Sequence, residues 1–218
     1  EDMAAALEAI GFKVLPGFDL DRNAMDDLTT EFAREAADAD VAVTYYAGHA
    51  LQFSGANLLV PVDGQIQDQY SLRGMVRLDQ LIQDTGGAHK LAVVIMDACR
   101  DDPLAGRQTA TRSLAIPKGL AQPGYIPPRT VVAYATSPGM VAYDDENGKG
   151  RNSPYAAALL RHIKTPGVKV TDMFAAVTGD VARDTRDAQR PGIFSSLDDK
   201  AVYLVPGASE GSSGVELT

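Results

Sequence analysis

The chain has 218 residues, 45% of them hydrophobic, which is enough for one sizeable core and suits a single domain. Its formal net charge of −9 repels phosphate backbones and argues against a nucleic-acid partner. The single cysteine excludes an internal disulfide and a multi-cysteine zinc site, and no apolar run approaches the roughly 20 residues of a membrane-spanning helix.

Residues 1–10 read as a helix with Met3, Leu7 and Ile10 on one face, stopped by Gly11. This helical pattern starts at the first residue with no signal-peptide pattern, so the sequence reads as a fragment of a longer one. Residues 12–15 predict a short strand. Asp21 or Asn23 is suited to cap a helix running to about Ala37, and residues 41–46 form a strand. Residues 51–62, with Ser54-Gly55-Ala56-Asn57 between apolar runs, predict a hairpin, and residues 78–83 a short helix ending near Gly86-Gly87. Residues 91–96 and 130–135 are apolar enough for buried parallel strands. Ser153 caps a further helix, residues 171–186 form another, and residues 201–205 read as the last strand. Strands alternating with helices predict an α/β fold with a mainly parallel central sheet flanked by helices, over residues 1–206, followed by a flexible Gly/Ser-rich tail at 207–218.

Two long loops, 100–128 and 137–152, leave the carboxyl ends of strands, where open α/β sheets bind ligands. The strands before them end in chemistry. One finishes in Tyr45-Tyr46-Ala47-Gly48-His49 and the other in Asp97-Ala98-Cys99-Arg100-Asp101, with His49 and Cys99 fifty positions apart. Alone, a strand-end cysteine is ordinary packing and a single histidine is structural. Together they set an imidazole and a thiol at one sheet edge, the pairing a cysteine nucleophile needs.

These blocks resemble the caspase-like cysteine peptidases, and among them the bacterial metacaspase-like (orthocaspase) branch. Tyr45-Tyr46-Ala47-Gly48-His49 is similar to the family's Tyr-Tyr-Ser-Gly-His block, and Asp97-Ala98-Cys99-Arg100-Asp101 to its Asp-Ala-Cys-Arg-Asp block. Supporting runs are Ala133-Tyr134-Ala135-Thr136-Ser137-Pro138-Gly139, Arg151-Asn152-Ser153-Pro154-Tyr155, and Gln189-Arg190-Pro191 followed by Ser195-Ser196-Leu197. The resemblance implies a three-layer sandwich. The family opens with an apolar strand ahead of the first helix; that strand is not represented in this chain, so the sheet is expected to lack one member.

The resemblance further implies a Cys-His dyad. Cys99 attacks the scissile carbonyl, His49 serves as general acid and then base, and the backbone N–H groups of Gly48 and Cys99 receive the oxyanion. Caspases that cut after Asp resemble this pattern with a neutral Gln where Asp97 stands, and with an Arg in the later loop where Val141-Ala142-Tyr143-Asp144 runs here. Two carboxylates, Asp97 and Asp144 (with Asp145 as a rival for the second), would hold Arg or Lys and repel Asp. Ala142 and Tyr143 would pair their backbone with an extended substrate. Arg100, Arg107, Arg112 and Lys118 are candidate self-cleavage positions. The expected partners are peptides or proteins with Arg or Lys before the cut, and the resemblance implies a monomer. No metal or cofactor is expected: His89 and His162 lack ligand-spaced partners, and Asp144-Asp145-Glu146-Asn147-Gly148 lacks the first carboxylate of an EF-hand loop because Tyr143 stands there. Certain metacaspases need calcium, so a calcium dependence stays open. The rival reading is a catalytically silent scaffold or binding module on the same fold.

Overall fold

The structure, a computed structural model, describes residues 1–99, 119–137, 151–198 and 201–207, with Cys99 described by its backbone. Among the described residues five α-helices, α1 (Asp2–Glu8), α2 (Arg22–Ala37), α3 (Leu78–Thr85), α4 (Pro154–His162) and α5 (Val170–Asp184), flank a sheet. Its strands are β1 (Val41–Phe53), β2 (Ala56–Leu59), β3 (Val76–Arg77), β4 (Leu91–Cys99), β5 (Thr130–Tyr134) and β6 (Gly192–Ser195), in the order β3-β2-β1-β4-β5-β6. The central pairs β1–β4 and β4–β5 are parallel, and the outer pairs are antiparallel.

The apolar run at the start of β4 explains its central place. Residues 91 to 96 are at most 1% exposed, because helices cover both faces of the sheet. On one face Val93, Ile95, Val131 and Ala133 meet Leu7 of α1, Tyr155 and Leu159 of α4, and Phe174 and Val177 of α5. On the other, Val94, Met96, Val132 and Tyr134 meet Met25 of α2 and Leu78, Leu81 and Ile82 of α3. Each large side chain so buried contributes about 1.5–3 kcal/mol, so the three layers hold the rim of the sheet rigidly.

Local signals act as their chemistry requires. Asp21, not Asn23, caps α2, its Oδ1 accepting from the N–H of Ala24 at 2.8 Å. The β1–β2 hairpin closes on Ser54 and Gly55 with φ of 48° and 81°, the pair of positive values that a two-residue hairpin turn demands. β1 itself is longer than expected. It runs on through Gly48-His49 and carries the first arm of the hairpin.

Two expected strands are absent. Residues 12–15 form no strand, although Phe12 and Val14 pack against the core. A strand needs a ladder partner, and among the described residues none pairs with the first eight positions of β1 on the side away from β4. A cavity of about 730 Å³ lies along that side, lined by Leu15, Leu20, Met25, Val43, Tyr45 and Leu59 among others. Residues 201–205 make a single bridge, Lys169 to Tyr203, and bury Leu204. Among the described residues the last strand is instead β6, antiparallel to β5. Among the described residues no helix is long and apolar enough to cross a membrane.

Candidate active site

The parallel ladder between β1 and β4 runs without a slip from Val41 opposite Leu91 to His49 opposite Cys99. Neighbouring strands lie about 4.8 Å apart, so the backbones of His49 and Cys99 are adjacent at the carboxyl rim of the sheet. Strand alternation sends Tyr46 and Ala50 toward the α2–α3 layer, which leaves Tyr45 and His49 on the other face. The His49 side chain is exposed.

The backbone at His49 is held from two directions. Its carbonyl oxygen accepts from the N–H of Val60 at 3.0 Å and from the Tyr46 hydroxyl at 2.7 Å. Gly48 makes room for that phenol: a Cβ at position 48 would stand 2.9 Å from the Tyr46 hydroxyl oxygen. Burial pushes the Tyr46 hydroxyl up to about 12, so it is a proton donor at any ordinary pH. The cavity beside β1 extends up to Gly48 and His49.

Asp97 stands two residues before Cys99 and is 6% exposed. Its Oδ2 accepts from the hydroxyl of Tyr45 at 2.9 Å and from the hydroxyl of Ser153 at 2.7 Å. Ser153 also caps α4 as expected, its oxygen accepting from the N–H of Ala156 at 2.9 Å. One carboxylate oxygen therefore joins β1, β4 and the start of α4. The segment leading to Ser153 is pinned in turn. Arg151 lies 2.8 Å from the Asp2 carboxylate, and the Asn152 amide donates to it at 2.8 Å. Behind this corner Tyr155 is fully buried, and its hydroxyl has no hydrogen-bond partner among the described residues. Burial first, and then the charge of Asp97, hold its proton well above the usual phenol range.

Ser137 ties the exit of β5 to the chain ahead of β6: its N–H and its hydroxyl both donate to the Arg190 carbonyl, at 2.8 and 3.0 Å. Asn57, 2% exposed, fixes the descending end of the long loop. Its amide donates to the Ala121 carbonyl at 2.8 Å, and its oxygen accepts from the Ala121 N–H at 2.7 Å. His162 Nε2 donates to the Asp180 carboxylate at 2.9 Å, in a cluster of ion pairs linking α4 to α5. Among the described residues no group of His, Cys, Asp or Glu side chains is arranged to hold a metal ion.

The expected site thus divides into two parts. His49, Gly48, Asp97 and the backbone of Cys99 converge on one rim. Asp144, Asp145, Ala142 and Tyr143, and the cleavage candidates Arg100, Arg107, Arg112 and Lys118, lie outside the described residues. Sequence reasoning missed the roles of Tyr45, Tyr46 and Asn57, and the second bond of Ser153. The Tyr-Tyr doublet was the available signal: adjacent strand residues face opposite sides, so each phenol serves a different neighbour.

An exposed imidazole on the strand position opposite the cysteine, beside a buried carboxylate with hydroxyl donors, brings together group types that thiol chemistry uses. Comparison with curated proteins finds no match. A crystal structure of caspase-1 from Spodoptera frugiperda matches this one with a TM-score of 0.57 and 20% identity, over 95% of this chain and 80% of that one; this likeness shows the fold. The Caspase domain family matches residues 1–202. The chain belongs to the caspase-domain family of cysteine peptidases.

Proposed function

We propose that this chain is an endopeptidase of metacaspase type that cuts after Arg or Lys with a Cys99–His49 dyad. The observation that supports this reading best is the in-register pairing of His49 with Cys99 above the buried Asp97. A thiol is a weak nucleophile until it ionises, and a neighbouring imidazole takes up its proton. The thiolate of Cys99 attacks the scissile carbonyl carbon, and the oxyanion receives the N–H groups of Gly48 and Cys99. His49 then protonates the leaving amine as the thioester forms. In the second half His49 takes a proton from water, the hydroxide attacks the thioester, and the acid and the free thiol are released.

Substrate choice rests on charge. Asp97 takes the cationic side chain before the cut, Asp144 or Asp145 supplies a second carboxylate, and the backbone of Ala142 and Tyr143 pairs with the substrate strand. An Arg/Lys-specific enzyme would also accept its own Arg100, Arg107, Arg112 or Lys118, which makes loop cleavage a route to activation. Calcium is a further variable to test, and the working unit is a monomer.

Peptides ending in Arg, Lys or Asp and linked to a fluorogenic amine test this reading, beside Cys99→Ala. Release from Arg and Lys peptides alone, lost in Cys99→Ala, is the expected result. No release by folded protein, with and without calcium, returns the chain to the scaffold reading.

A further inference from the structure

We propose that Tyr45 is a positioning residue for substrate specificity, acting through its hydroxyl on the Asp97 carboxylate. This inference rests on the reading of Asp97 as the floor of the cation pocket. Tyr45 stands opposite Ile95 in the β1–β4 ladder, so Asp97 is its diagonal neighbour, two positions nearer the rim. That distance, about 7–8 Å between diagonal backbones, is within reach of a long aromatic side chain. The phenol spans it, and only its oxygen makes the 2.9 Å bond to Asp97 Oδ2.

A carboxylate that is 6% exposed is costly to keep charged. Two hydroxyl donors on one oxygen offset that cost, because hydrogen bonds to the charged form favour it. They also fix the rotation of the group, since one donor comes from β1 and the other from the start of α4. Ser153 cannot rotate away freely: the same oxygen accepts the capping bond from Ala156. Tyr45 thus keeps the carboxylate charged and still, without touching substrate.

The clean test is Tyr45→Phe in the full chain, compared with Asp97→Ala, Ser153→Gly and Ser153→Thr. Steady-state kinetics would be read on Arg and Lys peptides over pH 5 to 9, after each variant's melting is checked. Ser153→Gly keeps most of the capping of α4, and Ser153→Thr keeps the hydroxyl. If Tyr45 positions Asp97, Tyr45→Phe raises KM for Arg peptides about tenfold with kcat within about twofold, a modest loss of a charged hydrogen bond. The acid limb of the kcat/KM profile moves to higher pH, and Ser153→Thr, unlike Ser153→Gly, behaves as the parent. Arg preference lost in Asp97→Ala but unchanged KM and pH profile in Tyr45→Phe would overturn the role of Tyr45 and leave the pocket standing. Arg preference retained in Asp97→Ala would overturn the pocket itself, and this inference with it.

Discussion

The hydroxyl of Tyr46 donates to the carbonyl oxygen of His49 at 2.7 Å, from the face of the sheet opposite the imidazole. The same oxygen takes the N–H of Val60, so β1 is held at His49 by a side chain and by the neighbouring chain at once. Tyr46→Phe removes one bond and nothing else. Expected are a stability loss of about 1 kcal/mol and a fall in kcat/KM of about tenfold. Gly48→Ala should be worse, because its methyl group would meet the phenol 2.9 Å away. Urea melts and peptide kinetics on both variants check this; Gly48→Ala milder than Tyr46→Phe in both would contradict it.

Much of this corner was legible before any coordinates. The run at 91–96 reads as a buried strand because nothing else suits six consecutive apolar residues next to a Gly-rich turn. Cys99 is visible as a strand end and Ser153 before Pro154 as a helix start, whereas His49, expected at a strand end, lies inside a longer β1 and marks only the end of its parallel ladder with β4. What the sequence could not show is set by partners remote in the chain. Residues 12–15 have strand-like composition, yet a strand exists only with a partner, and among the described residues none lies beside them. Residues 201–205 do meet a neighbour, residues 167–170, but the pairing stops at the single Lys169–Tyr203 bridge where α5 begins, while Gly192–Ser195, with half its positions exposed, was too short and too mixed to announce itself. Asp97 could be placed near Cys99 by counting, but its two hydroxyl donors lie 52 and 56 residues away.

Alkaline pH should unfold this chain early. Burial raises the Tyr46 hydroxyl to about 12, and raises Tyr134 and Tyr155 further, against an ordinary value of 10. The folded state then holds protons that the unfolded chain releases. Stability from these groups is whole below pH 10 and falls as pH rises from 10 through 12. Urea midpoints at pH 8, 10 and 11 would follow the decline, and phenolate absorbance should show these tyrosines ionising only with unfolding. A midpoint unchanged between pH 8 and 11 would refute the expectation.

The Asn57 side chain acts as a strand edge for Ala121, making both bonds that a backbone neighbour would make. Asn57→Ala leaves a buried N–H and a buried C=O without these partners, a cost of about 1–3 kcal/mol each before local rearrangement. Limited proteolysis should then reach residues 119–126 faster than in the parent. A cut upstream of this clamp, at Lys118 or earlier, should leave the two pieces joined, because β4 and β5 pair directly across it through five residue pairs. Size exclusion of nicked protein in the absence of denaturant checks the second point. Separation into two fragments would mean that the ladder and the clamp do not hold the halves.

Tyr155 and Tyr45 flank the same carboxylate but should respond oppositely to losing an oxygen. The Tyr155 hydroxyl is fully buried without a hydrogen-bond partner among the described residues, and the charge of Asp97 opposes its ionisation. An unsatisfied buried hydroxyl costs about 1–3 kcal/mol, whereas the ring alone packs with Leu159 and Ile95 as a hydrocarbon. Tyr155→Phe is therefore expected to raise stability by about 1 kcal/mol, or about 2–4 °C in Tm for a chain of this size. Tyr45→Phe, which discards a bond actually made to Asp97, should lower it. Calorimetry on the two single variants decides the matter. Equal effects of the same sign would mean that burial alone, and not partnership, sets the worth of a phenol at this corner.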